Sequence, residues 1–199
     1  MRTAILMVDN DRTDKVLESC RMGDREAFTA LFETYRERVH SIARVFFKGD
    51  DSAASDITQQ VFLKLMDRVL QFENRADFAT WLYRIVTNAC LDRYRSTKRW
   101  ILFGSSSEAE SIIPVSRVPS VEEEYARSEM SRAVQSAIAE LKPKFRMAIL
   151  LKYFDDLSYE EMADALQVSK GTVASRLNRG HRMLAQKLAH LKTHAGPEV

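Results

Sequence analysis

Residues 157–184, LSYEEMADALQVSKGTVASRLNRGHRML, contain two short helical patterns on either side of a tight turn. Ser158 and Glu161 form a capping box, which satisfies free backbone amides where the first helix begins. Ser169 is a good N-cap for the second helix. That helix has one apolar stripe at helical periodicity, made of Val173, Leu177, Leu184 and Leu188. The stretch therefore predicts a helix-turn-helix.

The face opposite this stripe is polar and basic. No aspartate or glutamate occurs between Ser169 and Lys192, and a face of one charge sign indicates a charged partner. Short polar side chains near a helix N-terminus reach base edges in the major groove, and arginines bind guanine or phosphate. We predict that DNA is contacted by Ser169, Lys170, Thr172, Ser175, Arg176, Asn178, Arg179 and Arg182. The alternative is an ordinary helix pair in a bundle, since such patterns also occur by chance.

The composition is that of an ordinary globular protein. The chain has 199 residues, of which 45% are hydrophobic and 29% are charged, and its formal net charge is +2. These values exclude a disordered or membrane-embedded chain. Cys20 and Cys90 are far apart and lack ligand spacing, so no disulfide or metal site is predicted. The apolar run AILMV near the N-terminus is too short for a signal peptide, and we expect a cytoplasmic protein.

Apolar positions recur at helical spacing almost throughout, so the predicted fold class is all-α. Residues 100–121, which include Gly104, Pro114 and Pro119, show no sustained period and indicate a linker. We predict two small helical domains joined by a flexible linker. The expected divisions are an N-terminal segment with a short helix at 1–23, a helical bundle at 24–99, the linker at 100–128, and the helix-turn-helix domain at 129–194.

Within the first domain, the second predicted helix, from about 56 to 72, has an unusual outer face. Its polar positions Asp56, Gln59 and Gln60 surround Leu63, and Leu70 lies on the same side. Leucines among amides and acids are typical of a protein-binding face with a small apolar centre. An equally good explanation is that another helix of the same domain covers these leucines.

The third predicted helix, from about 76 to 99, combines aromatic and basic residues. Trp81 lies off the apolar stripe, and the helix ends in a cluster of cations, Arg93, Arg95, Lys98 and Arg99. Aromatic rings beside cations suit single-stranded DNA, in which bases stack on the rings. An aromatic residue serves the core more often than stacking, and helix C-termini commonly carry arginine and lysine.

Three motifs in this order resemble the extracytoplasmic-function (ECF) group of bacterial RNA polymerase sigma factors. They are DITQQVFLKL at 56–65, FATWLYRIVTNACLDRYR at 78–95 and LSYEEMADALQVSKGTVASRL at 157–177. The resemblance implies a subunit that binds core RNA polymerase and directs transcription initiation, without catalysis or a cofactor. It also implies two domains that bind separately, one to the polymerase and opened DNA and the other to intact duplex DNA. Many proteins of this family have an anti-sigma factor partner.

The resemblance further implies a role for each motif. Core polymerase would be bound by Asp56, Gln59, Gln60 and Leu63. The −10 promoter element would be bound, with one base unstacked, by Phe72, Asn74, Phe78, Trp81, Asn88, Arg93 and Arg95. The −35 element would lie against the helix that begins at Ser169. Gly180 stands where the family usually has alanine, at a cost of up to about 1 kcal/mol in helix stability.

Two other classes of function fit the sequence less well. A helix-turn-helix regulator, with 24–99 as a sensory or dimerisation domain, would explain the C-terminal pattern but leaves the 56–65 motif without a role. An enzyme has the least support, because the four histidines form no catalytic or metal spacing and no glycine-rich phosphate loop occurs.

Overall fold

The computed structural model describes residues 10–72, 77–103 and 122–189, with side-chain surroundings at 13–70, 72, 77–99 and 131–189. The helices are α1 (Asn10–Arg21), α2 (Arg25–Phe46), α3 (Asp51–Arg68), α4 (Phe78–Phe103), α5 (Glu122–Ala139), α6 (Pro143–Tyr153), α7 (Tyr159–Leu166) and α8 (Lys170–Lys187), with a 3₁₀ turn at Val69–Gln71. These described residues contain no strand, which confirms the all-α prediction.

Local sequence explains where the helices begin. The side chain of Asp24 accepts hydrogen bonds from the first amides of α2, and Asp50 does the same for α3. The predicted capping box of Ser158 and Glu161 is present at the start of α7. Gln167 ends α7 in the left-handed region, with φ of 51°, and so forms the tight turn before α8.

Some helix bounds differ from those expected. α3 begins at Asp51, five residues before the predicted start at Asp56, because Asp50 supplies the cap and Ala53 and Ala54 are buried. The short helix expected within 1–23 is α1.

The ends of the predicted linker are also helical. α4 continues to Phe103 and α5 already begins at Glu122, so 100–103 and 122–128 extend the neighbouring helices. The rest of the linker, 104–121, lies outside the described residues.

The N-terminal domain is held together by the inner faces of α2, α3 and α4. Its buried side chains recur at helical spacing and include Leu31, Val39, Ile42, Phe46, Ile57, Val61, Leu65, Leu82, Ile85 and Val86. Phe32 and Phe62 pack edge to face with ring centroids 4.7 Å apart. Burial of this stripe leaves the outer face of α3 to solvent.

The C-terminal domain is built around α6, which is buried on nearly all sides from Phe145 to Leu151. The turn of α8 at Gly180 lies against it. A Cβ added at Gly180 would lie 3.1 Å from Cγ1 and 3.2 Å from Cδ1 of Ile149. The absence of a side chain at this position therefore lets α8 approach α6 closely.

The two domains also contact each other. α4 packs along α7, and α2 contacts α6, so that one cluster of buried residues runs through both domains. The buried guanidinium of Arg146 in α6 donates to carbonyls at the end of α5 and to the carbonyl of Phe46 in α2. The sequence predicted two domains that act separately and contained no indication of this contact.

Candidate protein- and nucleic-acid-binding surfaces

The four residues predicted to bind polymerase form one exposed face of α3. Asp56, Gln59, Gln60 and Leu63 are all exposed, and 55% of Leu63 is accessible to solvent. Leu70 continues this face with 67% of its surface accessible. Within the described parts of the chain no helix covers these leucines, so the explanation that another helix of the domain buries them is wrong for this conformation.

A groove of about 560 Å³ runs beside this face, between α2 and α3. Its apolar lining includes Phe28, Phe32, Phe62, Leu63 and Met66, and its rim carries Arg36, Glu37, His40 and Gln59. Phe28 and Phe32 lie at helical spacing along the inner side of α2, but both are only half-buried. Met66 was missed, although it lies three residues after Leu63 and is 53% exposed.

Two residues predicted to contact the −10 element are buried. Phe72 and Phe78 are only 5% and 3% exposed, and their rings lie 5.0 and 5.9 Å from that of Trp81. Because the surfaces of Phe72 and Phe78 are used in packing, in this conformation the two rings support Trp81 and do not face solvent. Trp81 is half-buried and keeps one side open. Asn74 lies outside the described residues.

The remaining −10 candidates lie along α4. Asn88 is exposed, on the side of the helix that faces away from the core. Arg93 forms an ion pair with Asp56 of α3 at 3.0 Å, and Arg95 forms one with Asp92 at 3.0 Å. The pair between Arg93 and Asp56 was not predicted, and it joins a candidate DNA residue to a candidate polymerase residue. Exposed pairs of this kind exchange readily with a stronger partner.

At the start of α8, hydroxyl groups hold the helix together. The Oγ of Ser169 accepts from the amide of Thr172 at 3.2 Å and lies 3.0 Å from its Oγ1. Ser175 donates to the carbonyl of Thr172 at 2.9 Å. Lys170 forms an ion pair with Glu160 of α7. The acid-free face predicted from the sequence is therefore partly neutralised at its first residue by a neighbouring helix.

The charge in the middle of α8 differs from that at its two ends, because Lys187 in the last turn also forms an ion pair, with Glu140. Asn178, Arg179 and Arg182 are exposed, and Arg176 is half-buried. Burial lowers the pKa of the Arg176 guanidinium from an ordinary value so high that the group stays charged at neutral pH. In the part of the chain that the structure describes, none of these three arginines forms an ion pair. The candidate DNA-binding charge is thus concentrated in the middle of α8.

A cleft between the domains brings the two candidate DNA surfaces together. It is lined by Thr80, Trp81 and Arg84 of α4 and by Ala163, Asp164, Gln167, Val168 and Ser169 of the helix-turn-helix. With the Gln167 amide oxygen turned toward Arg84, the guanidinium donates to it at 2.9 and 3.2 Å. Nothing in the sequence predicted this cleft, because its two walls come from distant segments.

Over 10–72, 77–103 and 122–189 no group of three or more potential metal ligands comes together. Across these segments no helix has the length and apolar character needed to cross a membrane.

Comparison with known proteins gives matches in both domains. The family model for Sigma-70 region 2 matches residues 31–100, and that for Sigma-70 region 4 matches residues 131–184. The ECF RNA polymerase sigma factor SigW of Bacillus subtilis is 30% identical over 182 residues, which cover 89% of this chain and 97% of SigW.

Solved structures resemble the fold as well. CnrH, in complex with the cytosolic domain of CnrY, aligns with a TM-score of 0.64 and 24% identity over 94% of this chain and 100% of CnrH. The sigma factor RpoE from Bartonella quintana, in complex with the anti-sigma factor NepR, aligns with a TM-score of 0.64 and 23% identity over 81% of this chain and 96% of RpoE.

Proposed function

The chain belongs to the ECF group of RNA polymerase sigma factors, and from this premise we propose how its surfaces divide the work of promoter recognition. As a sigma factor it acts in promoter-directed transcription initiation. Catalysis belongs to the polymerase, and this subunit supplies binding alone. We place its action in the cytoplasm, where polymerase and chromosome meet.

Core polymerase is bound by the outer face of α3. Asp56, Gln59, Gln60 and Leu63 form the centre of this face, and the groove beside α2 adds Phe32 and Met66. An apolar centre with a polar rim is the usual anatomy of a protein interface. The exposure of Leu63 in an otherwise well-packed domain is the observation that carries the proposal.

The −10 element is bound along α4. Trp81 offers a ring for stacking an unpaired base, and Asn88 offers an amide for its edge. Extrusion of one base costs a few kcal/mol, which stacking and hydrogen bonds offset. Arg93 and Arg95 hold the backbone after exchanging their acidic partners for phosphates.

The −35 element is bound by α8 in the major groove of intact duplex. Arg176, Arg179 and Arg182 provide phosphate or guanine contacts, and Ser175 and Asn178 face the base edges. Lys170 contributes less, because Glu160 neutralises it. An anti-sigma factor is a further partner that we propose for this chain, since RpoE of Bartonella quintana was solved with one.

A single substitution tests the polymerase surface. Leu63→Asp places a charge at the apolar centre and should abolish co-purification with core RNA polymerase, while circular dichroism shows an unchanged fold. The matched control is Met22→Asp, which changes an apolar residue that is 83% exposed outside α3 and should leave binding intact. Loss of binding in both variants, or in neither, would exclude this surface.

A second experiment separates this function from that of a helix-turn-helix regulator. The chain is mixed with core polymerase and a genomic promoter library, and the transcripts are sequenced. Specific starts that require the chain are expected. Tight, sequence-specific binding of duplex DNA by the chain without polymerase would instead indicate a regulator.

A further inference from the structure

The first helix, α1, lies outside the part of the chain that the Sigma-70 region 2 model matches, which begins at residue 31. It is nevertheless packed into the N-terminal domain. Leu17 is fully buried, Cys20 is only 7% exposed, and α1 contacts α2 and the 3₁₀ turn at Val69–Gln71. That turn leads directly into Phe72, so α1 lies beside the start of the candidate −10 surface.

Arg21, the last residue of α1, holds the backbone at this point. Its Nη2 donates to the carbonyl of Phe72, and its Nη1 pairs with Glu18, one turn earlier, at 2.9 Å. Only 24% of the Arg21 side chain is exposed. A guanidinium held between a carboxylate and a carbonyl has a fixed direction, because its donors lie in one rigid plane. Arg21 therefore restrains the Phe72 carbonyl across a separation of 51 residues.

The ring of Phe72 connects this restrained backbone to Trp81. Phe72 is 5% exposed, and its ring centroid lies 5.0 Å from that of Trp81 and 5.8 Å from that of Phe78. Rings packed at these distances leave little free volume, so a shift of one ring moves its neighbours. Displacement of the Phe72 backbone should therefore tilt or loosen Trp81.

A second polar contact joins α1 to the same group of rings. Thr13, which is 6% exposed, shares a side-chain hydrogen bond with the hydroxyl of Tyr35 in α2. The ring of Tyr35 packs edge to face with that of Phe78, with centroids 5.3 Å apart, and Phe78 lies 5.9 Å from Trp81. By two separate hydrogen bonds, α1 thus reaches both rings that support Trp81.

We propose that α1 is a functional part of the −10 site, in which Arg21 and Thr13 are positioning residues that fix the stacking face of Trp81. The role in DNA binding rests on the proposed function, whereas the bracing of Trp81 by α1 does not. A ring that is held in place before binding loses less freedom when a base stacks on it, so its pre-organisation increases affinity. Neither Arg21 nor Thr13 needs to contact DNA.

The fluorescence of Trp81 measures the bracing without DNA. The chain has two tryptophans, so Trp100→Phe leaves Trp81 as the sole emitter. In this background Arg21→Met removes the donor to Phe72 and should increase the quenching of Trp81 by acrylamide. Glu18→Gln is the matched control, because it removes the ion pair at 2.9 Å but keeps the donation from Arg21 to Phe72. Its quenching should equal that of the parent chain.

Binding of opened DNA measures the consequence. The full chain is assembled with core polymerase, and the probe is a fluorescent promoter fragment from the transcript library whose −10 region is held open by a mismatched bubble. Trp81→Ala should weaken binding about fivefold or more, the least expected for loss of one stacked base. Arg21→Met should weaken binding at least about twofold, as for loss of one hydrogen bond. In the Trp81→Ala chain it should have no further effect, because the ring that it positions is gone.

Thr13 provides a second pair of variants in case Arg21→Met fails to fold. Thr13→Val keeps the shape of the side chain without its hydroxyl and should increase quenching and weaken binding, whereas Thr13→Ser keeps the hydroxyl and should match the unmodified chain. Unchanged quenching in folded Arg21→Met and Thr13→Val would overturn the proposal. So would an equal loss of binding by Arg21→Met with and without Trp81. If Trp81→Ala binds the bubble normally, the proposed stacking and the role of α1 in DNA binding are both wrong, while increased quenching would still establish the bracing.

Discussion

Gly180 shows at the scale of one residue how helix propensity and packing oppose each other. The sequence marks it only as a weak position in α8. In the structure the Cα of Gly180 faces Ile149, and a Cβ added to it would lie only 3.1 Å from Cγ1 of Ile149. Gly171 in the same helix is exposed, and a Cβ there would meet only the Oγ of Ser169 at 3.9 Å. A comparison of the two glycines therefore separates the effect of helix propensity from the effect of packing.

We expect Gly171→Ala to stabilise the chain and Gly180→Ala to do so less or not at all. Alanine gains up to about 1 kcal/mol over glycine in a helix, but at 180 the added methyl must displace Ile149. The difference in free energy of unfolding between the variants should be about 1 kcal/mol or more. Urea denaturation measures it, and equal stabilisation by both substitutions would contradict the close contact of α8 with α6.

The two cysteines allow a second prediction at this scale. Cys90 is fully buried, and burial raises the pKa of its thiol to about 12. Burial, and secondarily Asp24, also raises the pKa of Cys20, which lies near the end of α1. At pH 8 only about one Cys90 thiol in ten thousand would be the reactive thiolate. Iodoacetamide should modify Cys90 only at the rate of global unfolding, and Cys20 earlier, through fraying of α1. Rapid modification of Cys90 in the native chain would contradict its burial.

At the scale of the helix, α8 carries its DNA-binding charge unevenly. Arg179 is exposed and forms no ion pair among the described residues, whereas Lys170 is already held by Glu160. Release of counterions by a phosphate contact makes binding salt-dependent in proportion to the number of charges neutralised. The unpaired arginine should therefore contribute more to this dependence than the paired lysine.

Arg179→Ala should reduce the slope of log K against log salt by about 1 for binding of the polymerase holoenzyme to promoter duplex. Arg176→Ala should have a similar effect. Lys170→Ala serves as the matched control. Its slope should change less, because Glu160 already neutralises Lys170 in the free chain and leaves less positive charge for a phosphate. Fluorescence anisotropy at several salt concentrations gives the three slopes. An equal reduction for Lys170 and Arg179 would show that the pair with Glu160 opens in the complex.

Helix periodicity explains how much of this molecule the sequence could predict. That Asp56, Gln59 and Leu63 share one face of α3 was predicted correctly, because this follows from helical spacing alone. The packing of Phe72 against Trp81 was not predicted. This contact joins a turn to a helix, and helix periodicity carries no information about such contacts. The hydrogen-bonded pair of Arg38 and Asp155, which joins the two domains, could not be predicted, because the two residues are 117 positions apart and each looks like an ordinary surface charge in its local pattern.

At the scale of the whole molecule, the contact between the domains combines apolar packing with a few strong polar anchors. Arg146 is only 5% exposed, and the carbonyls of Phe46, Ile138 and Leu141 accept hydrogen bonds from its guanidinium. Asp155, by contrast, keeps one oxygen without a donor among the described residues. Arg146 therefore stabilises the contact between the domains. Asp155, whose Oδ1 accepts from Arg38 of α2 and Tyr83 of α4, makes this contact sensitive to its surroundings.

This sensitivity predicts a dependence on pH. Burial raises the pKa of the Asp155 carboxyl, although Arg38 and Tyr83 act in the opposite direction. The pKa of Tyr83 is itself raised far above its ordinary range by burial, so its hydroxyl stays a donor. Because Asp155 binds its proton more tightly when the domains are packed together than when they are apart, the proton's contribution to this packing is complete below the ordinary pKa of about 3.9. The contribution is lost as pH rises through the raised pKa.

Separation of the two domains should therefore increase with pH across that window, and more steeply in Arg38→Met, where the compensating charge is missing. Asp155 faces the charged guanidinium of Arg38 from α2 and the neutral hydroxyl of Tyr83 from α4, and Lys152 and Asp156 pair beside it at 3.7 Å. Small-angle scattering of Arg38→Met at a series of pH values should show the chain becoming compact on acidification. Asp155→Asn, added to Arg38→Met, should remove the pH dependence because no proton is left to bind. A pH dependence that survives in the double variant would assign the effect to a group other than Asp155.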